Sequence, residues 1–198
     1  MPLNDFVPFD PSGSLLLEER LHALPRDSVI KGMFFQPLLA EAQRVLPGVF
    51  ATRSYAALTN YPASEFVRLA AETAHLVYPE LPPREGLRRL GRLHQGAITE
   101  HTVGRALRSA AGSFLETALG LLPHVYKLLA PDASAKILEL NSFSAVISLK
   151  NNWGFADCYQ VGVFEGIFEA FQVEGDVWVR SHSFSDIDVT LFWRRKRA

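Results

Sequence analysis

The segment from Ala156 to Gln172 constrains the fold most, because it combines a helical period with two interior glycines. At 100° per residue, apolar side chains cover most of the circumference of this predicted helix. Gly162 and Gly166 are four residues apart and therefore lie on the same face. Each interior glycine costs about 1 kcal/mol relative to alanine, so close backbone contact must compensate for it. The glycine face comprises Tyr159, Gly162, Val163, Gly166, Ile167 and Ala170.

This glycine face has two interpretations. In the first, a strand or a second helix packs directly against the glycines. In the second, a ligand lies against them. The remaining polar strip, formed by Cys158, Glu165, Glu169 and Gln172, is narrow. Close packing is the preferred interpretation, and the ligand interpretation stays open beside it.

The chain before residue 131 has mainly helical periodicity, with prolines between its segments. Residues 98–110 either continue the preceding helix or form one of their own. The predicted segments are a short helix after Ser14, a segment from Asp27 or Ser28 through Phe35, helices over about Pro37–Val45 and Pro62–Tyr78, a basic amphipathic helix after Pro83, and helices over about Ser113–Leu122 and Pro123–Ala130.

After residue 131 the period changes to that of strands. The predicted strands are Ala135–Leu140, Ala145–Lys150, Val177–His182 and Ile187–Trp193, with turns at residues 141–144, 174–176 and 183–186. The sequence therefore predicts one α+β domain over residues 1–198. Its N-terminal helices pack on a four-stranded antiparallel sheet, and the glycine-bearing helix is inserted between two hairpins in the order β-β-α-β-β.

Charge and cysteine content exclude several classes of function. The 198 residues carry 20 basic and 21 acidic side chains, a net charge of −1, which gives no overall attraction to nucleic acid or to an anionic membrane. A single cysteine excludes an internal disulfide and a cysteine-based zinc cluster. No signal-peptide pattern or apolar run of membrane-spanning length is present. We expect a cytoplasmic protein without nucleic-acid or membrane partners.

The chemically capable residues do not form a complete catalytic or metal-binding set. His94 and His101 are seven apart and lack further ligands in the pattern. Cys158 lies near a helix start but has no evident base. An enzyme, such as a small hydrolase or isomerase, would need Cys158, a histidine and a carboxylate in one cleft. The paired carboxylates Glu165 and Glu169 are expected on a solvated helix edge, and His182, Asp186 and Asp188 in a tight turn.

The glycine helix also supports a family resemblance. Tyr159, Gly162, Glu165 and Gly166 form a Y-x-x-G-x-x-E-G pattern that precedes the closing strands. This part resembles the fold shared by heme-NO-binding domains, 4-vinyl reductase domains and the small subunits of the TRAPP tethering complex. Most of the chain resembles a myxobacterial paralogous family of unknown function. This second resemblance is carried by the same glycine helix together with Lys31–Phe35, Leu90–Arg92, Thr102, Gly104 and Arg105.

The resemblance implies a non-enzymatic ligand-binding or sensory module. Relatives of this fold bind a hydrophobic or tetrapyrrole ligand between the helices and the sheet, or assemble through their helices. The alternative is a scaffold subunit that forms a homodimer, which exposed Leu15, Phe34 and Phe35 would support. The ligand-binding residues implied here are Tyr159, Gly162, Val163, Gly166, His101 and Tyr126.

Two departures from the related families lead us to expect neither heme nor metal. The heme-binding branch requires an axial histidine and a Tyr-x-Ser-x-Arg motif, whereas Tyr126 is followed here by Lys-Leu-Leu-Ala. The metal-binding reductase proteins often carry cysteines near the C-terminus. In this sequence Ser181, Ser183 and Ser185 occupy that region.

Overall fold

A computed structural model of the chain describes residues 5–100, 109, 112 and 114–195, without the side chains of residues 95–100. His101 therefore lies outside the described residues. The described helices are α1 (Leu17–Ala23), α2 (Gln36–Val45), α3 (Ala63–Val77), α4 (Pro83–Glu100), α5 (Leu115–Gly120), α6 (Leu122–Leu129) and α7 (Tyr159–Ala170). None of these described helices is long and apolar enough to cross a membrane.

The main sheet is antiparallel, with the strand order β1-β6-β7-β5-β4. A separate pair, β2 with β3, lies among the N-terminal helices. The strands are β1 (Val7–Pro8), β2 (Val29–Lys31), β3 (Asn60–Pro62), β4 (Ser134–Leu140), β5 (Ser144–Lys150), β6 (Val173–Ser181) and β7 (Ile187–Arg195). The α+β class and the order β-β-α-β-β are confirmed.

Three details of the sequence prediction are wrong. The main sheet has five described strands, because the two-residue strand β1 adds to the edge of β6. Residues 29–31, expected in a helical segment, form β2 and pair with β3. Residues 174–176, expected in a turn, lie inside β6, where Gly175 pairs with Trp193. A Cβ at Gly175 would lie 2.2 Å from the carbonyl oxygen of Phe192, so this glycine allows a close approach within the sheet.

Helix α7 lies between two hydrophobic clusters and joins them. Its residues Phe164 and Phe168 pack in the cluster that contains the sheet and α5. Tyr159 packs in the cluster of the N-terminal helices. The predicted arrangement is thereby refined, because α4 packs on α7, and α7 in turn packs on the sheet.

Glycines set the contact between α4 and α7. A Cβ at Gly162 would lie 1.8 Å from the carbonyl oxygen of Arg88, and one at Gly91 would lie 2.0 Å from that of Tyr159. Real side chains cannot occupy such positions, so the two backbones meet directly. The close-packing interpretation of Gly162 is therefore confirmed, and the second helix is α4.

Ion pairs fix both ends of this contact. Asp157, in the loop before α7, accepts hydrogen bonds from Arg20 of α1 at 2.8 Å and from Arg84 of α4 at 2.5 Å. Glu165 of α7 accepts bonds from Nε and Nη2 of Arg88 at 3.0 and 2.6 Å. Charged groups from three segments thus hold α7 in place, which determines the position of its free face.

Candidate functional site

A cavity of about 210 Å³ lies between α7, the β2 region and helices α3 to α6. Most of its lining is aliphatic or aromatic. Apart from residues of α7, the apolar lining includes Ile30, Phe34, Phe66, Leu122 and Val125. Apolar lining of this kind binds small molecules through the burial of their apolar surface.

One side of the cavity is formed by α7 itself. Val163 remains partly exposed although its helix is mostly buried, because the side chain lines the cavity. Gly162 faces α4 instead and is absent from the lining. The glycine contact therefore positions the cavity wall without being part of it. The lining residues of α7 and its C-terminal end are Tyr159, Gln160, Val163, Ile167, Ala170 and Phe171.

A small polar network lies in this wall. The side-chain amide of Asn152 donates hydrogen bonds to the hydroxyl of Tyr126 at 3.2 Å and to the side-chain oxygen Oε1 of Gln160 at 3.3 Å. The loop that carries Asn152 contains two left-handed residues, Asn151 with φ 52° and Phe155 with φ 56°. A left-handed phenylalanine is unusual, and the complete burial of the Phe155 side chain offsets its cost.

A second polar pair lines the cavity from α4 and the start of α7. Nδ1 of His94 forms a hydrogen bond with the hydroxyl of Tyr159, and both side chains are buried. The ring of His94 also contacts Phe34 edge-on, with centroids 5.5 Å apart. Burial raises the pKa of Tyr159 well above its ordinary value. The side chain of His94 thus lies within the core.

The structure places the predicted ligand-binding residues in three groups. Tyr126, Tyr159 and Val163 line the cavity. Gly162 contacts the backbone of α4, and Gly166 is buried within α7. His101 lies outside the described residues. The binding role of this set stays a prediction.

Sequence reasoning missed Asn152 and Gln160 as cavity residues. At 100° per residue, Gln160 falls about 20° from Ile167, at the border of the glycine face. The position of a glutamine at the edge of an apolar helix face was the feature that could have identified Gln160 as a cavity residue. No sequence feature identified Asn152, because the direction of its side chain depends on the left-handed residues of its loop.

The other candidates lie in buried or paired environments. Cys158 is fully buried, and burial together with nearby Asp157 raises the pKa of its thiol to about 12. Glu165 is not a solvated residue as expected, since Arg88 binds it, and Glu169 is paired with Arg92. Asp186 accepts the backbone amide of Asn151 at 2.9 Å within the predicted turn. Within the described ranges, no group of three or more His, Cys, Asp or Glu residues could hold a metal ion.

Comparison with solved structures defines the fold class. The chain is similar to the Fe(II) unliganded H-NOX protein from K. algicida, with a TM-score of 0.66, 14% identity, and coverage of 85% of this chain and 99% of that chain. A mutant of the T. tengcongensis H-NOX has a TM-score of 0.63 and 16% identity, over 85% of this chain and 100% of that chain. An S. oneidensis H-NOX mutant has a TM-score of 0.62 and 11% identity, over 85% of this chain and 98% of that chain. At these identities the likeness shows the fold alone, and that fold is H-NOX-like.

The family is shown by the sequence itself. Residues 23–194 match the family described as "Protein of unknown function (DUF2378)", and the chain belongs to that family. No curated protein matches the chain. The expected resemblance to heme-NO-binding domains and to a family of unknown function is therefore confirmed.

Proposed function

We propose that this chain is a non-enzymatic module that binds a small, mainly apolar molecule in the cavity beside α7. The observation that carries the proposal is the cavity itself, which lies between the helices and α7 and is lined largely by aliphatic and aromatic side chains. The H-NOX-like fold supports the proposal only at the level of architecture.

The cavity volume limits the size of the ligand. An engineered apolar cavity of about 150 Å³ binds benzene, and pockets for drug-sized ligands span about 300–1,000 Å³. At about 210 Å³, this cavity suits a ligand of roughly one substituted ring. Burial of such a ligand is favourable by about 25 cal/mol per Å² of apolar surface.

Heme is the cofactor that the fold implies, since the K. algicida structure is named as an Fe(II) H-NOX protein and another similar structure probes heme distortion. Heme is much larger than a single ring. Its carboxylates also pair best with cationic side chains. No lysine or arginine lines the described part of the cavity, and Tyr126 lacks the accompanying serine and arginine. The described lining does not fit heme, and we propose a ligand other than a tetrapyrrole.

The non-enzymatic assignment rests on the arrangement of reactive groups. Cys158 is fully buried, and the neighbouring carboxylate of Asp157 is bound by two arginines. The described residues therefore do not bring together the thiol, free carboxylate and histidine that a hydrolase or isomerase would require. The thiol contributes to packing instead.

A ligand titration tests the proposal. Cumene is the probe, and Val163→Phe, which fills the cavity, is the blocked variant. Val45→Phe is the matched control, because Val45 is 43% exposed on α2, away from the cavity. We expect cumene at about 100 times its Kd to raise the free energy of unfolding by about 2.7 kcal/mol in wild type and in Val45→Phe. No increase is expected in Val163→Phe. Equal stabilisation of all three proteins would overturn the proposal.

The three residues named in support of the scaffold alternative are not exposed. Phe35 is fully buried, and Leu15 and Phe34 are partly buried in the core of the N-terminal helices. The homodimer, the cytoplasmic location and the absence of nucleic-acid and membrane partners stay predictions. Sedimentation velocity at several concentrations measures the first of these directly.

A further inference from the structure

We infer that the cavity selects a neutral ligand with one hydrogen-bond acceptor, such as an aryl or alkyl ketone, which the side chains of Tyr126 and Gln160 bind. This inference rests on the proposed function and adds the chemical class of the ligand. It follows from which hydrogen-bonding groups remain available in the cavity wall and from the charges around them.

Both side chains have donor groups to offer. The hydroxyl of Tyr126 accepts the bond from Asn152, so its own O–H is left to donate. Gln160 uses its carbonyl oxygen toward the same Asn152 nitrogen, which leaves its NH₂ group to donate. In the part of the chain that the structure describes, neither donor has an acceptor. Two donors held by one amide point to an acceptor on the ligand.

Tyr126 stays a donor throughout the physiological range. Burial raises the pKa of its hydroxyl above the ordinary value, although the hydrogen bond from Asn152 acts in the opposite direction. The hydroxyl is therefore protonated wherever the protein is folded at ordinary pH. An unpaired buried donor is costly, so a ligand that supplies an acceptor gains over one that does not.

The charges near the cavity disfavour an anion. Among the described lining residues there is no lysine or arginine to pair with a carboxylate. The one charged acid there, Asp132, is exposed and accepts the backbone amide of Val29 at 2.8 Å. A carboxylate ligand would lose its hydration without gaining a cation, and its charge would be repelled by Asp132.

Three probes with the same number of non-hydrogen atoms separate these chemistries. Acetophenone is neutral and has a carbonyl acceptor, cumene has a methyl group in place of that oxygen, and benzoate is anionic. We expect acetophenone to bind wild type about three- to tenfold more tightly than cumene, the factor that one net hydrogen bond supplies. Benzoate is expected to show no binding at pH 7. Isothermal titration calorimetry measures all three.

Two variants assign the effect to the two donors. Tyr126→Phe and Gln160→Leu each keep the bulk of the side chain and remove its donor. Each is expected to reduce the preference for acetophenone over cumene, and the double variant is expected to abolish that preference. Tyr78→Phe is the matched control, because Tyr78 packs beside Arg89 on α4 rather than in the cavity.

The outcomes separate this inference from the proposed function. If acetophenone and cumene bind wild type equally well, or if benzoate binds best, the ligand class is wrong and the binding function stands. If Tyr126→Phe and Gln160→Leu leave the preference intact, the assignment to these donors is wrong. If neither neutral probe binds, both the inference and the proposed function are overturned.

Discussion

Gly91 of α4 and Gly162 of α7 each face the backbone of the opposite helix. A Cβ at Gly162 would lie 1.8 Å from the carbonyl oxygen of Arg88, and one at Gly91 would lie 2.0 Å from that of Tyr159. The neighbouring residue Val163 then lies on the cavity side of α7. The reciprocal glycine contact thus determines how far α7 stands from α4 and where the cavity wall lies.

Replacement of Gly162 by alanine tests this contact. Because the obstructing atoms belong to the backbone, the helices must separate to admit a methyl group. We expect the free energy of unfolding to fall by about 1–3 kcal/mol, the usual cost of overpacking, although alanine favours the helix by about 1 kcal/mol. Urea denaturation measures the difference.

Gly120→Ala is the control for that variant. Gly120 ends α5, and among the described residues a Cβ there would meet only Leu140 at 3.9 Å, an ordinary contact. This change is expected to leave stability unchanged or to raise it. If Gly162→Ala behaved in the same way as Gly120→Ala, the close contact would not be a determinant of the fold.

Asp157→Asn tests the ion cluster that connects α1, α4 and the start of α7. Loss of the carboxylate leaves the buried Arg20 and the largely buried Arg84 without this counter-charge. We expect the free energy of unfolding to fall by about 3–5 kcal/mol. The control is Asp176→Asn, an exposed site on β6, where a change below about 0.5 kcal/mol is expected.

The same aspartate gives a pH dependence with a defined sign. Burial alone would raise the pKa of Asp157, but Arg20 and Arg84 outweigh it and hold the pKa below its ordinary value. The contribution of the Asp157 carboxylate to the free energy of unfolding is therefore complete above the pKa of an aspartate in the unfolded chain, about 3.9. That contribution is lost as the pH falls toward the lower pKa of Asp157 in the folded protein. Between pH 7 and pH 3, the free energy of unfolding should fall less in Asp157→Asn than in wild type. An equal decrease in the two proteins would show that the Asp157 carboxylate does not cause this pH dependence.

The thiol of Cys158 provides a test of the non-enzymatic assignment. Because it is fully buried and its pKa is raised to about 12, iodoacetamide should label the native protein only through unfolding. Labelling at pH 8 should become fast in denaturing urea. Mass spectrometry counts the modified fraction. Rapid stoichiometric labelling of the native protein would indicate an accessible, activated thiol and would reopen the enzyme hypothesis.

The role of Tyr126 as a donor predicts that the preference for ligands with a hydrogen-bond acceptor does not change with pH. Burial raises the pKa of its hydroxyl, so the group should remain a donor between pH 6 and pH 9. The ratio of acetophenone to cumene affinity should stay constant across this range. A preference that declined with rising pH below 9 would show that the hydroxyl ionises there, contrary to its burial.

The sequence predicted the elements whose pattern is long and local. The helical period and the paired glycines identified α7 and its need for a close partner. The partner was not identifiable, because Gly91 stood out only within Leu90–Arg92, as part of the resemblance to a family of unknown function. Contact between two glycines in distant segments depends on the tertiary structure.

The errors have similar physical causes. Gly175 was interpreted as a turn residue between two acids, whereas the sheet requires a residue without a Cβ at that position. Strands β1, β2 and β3 have two or three residues each, too few for a period to be detected. The polar wall of the cavity depends on Asn152, which a left-handed loop directs toward Tyr126.

A ¹H–¹⁵N correlation spectrum recorded during titration with acetophenone tests the central claim most directly. We expect the shifts to concentrate on amides around the cavity, including Phe34, Val125, Val163 and Phe171, and to disappear in Val163→Phe. Absence of shifts at saturating probe, or shifts confined to residues away from this cavity, would contradict a ligand site beside α7.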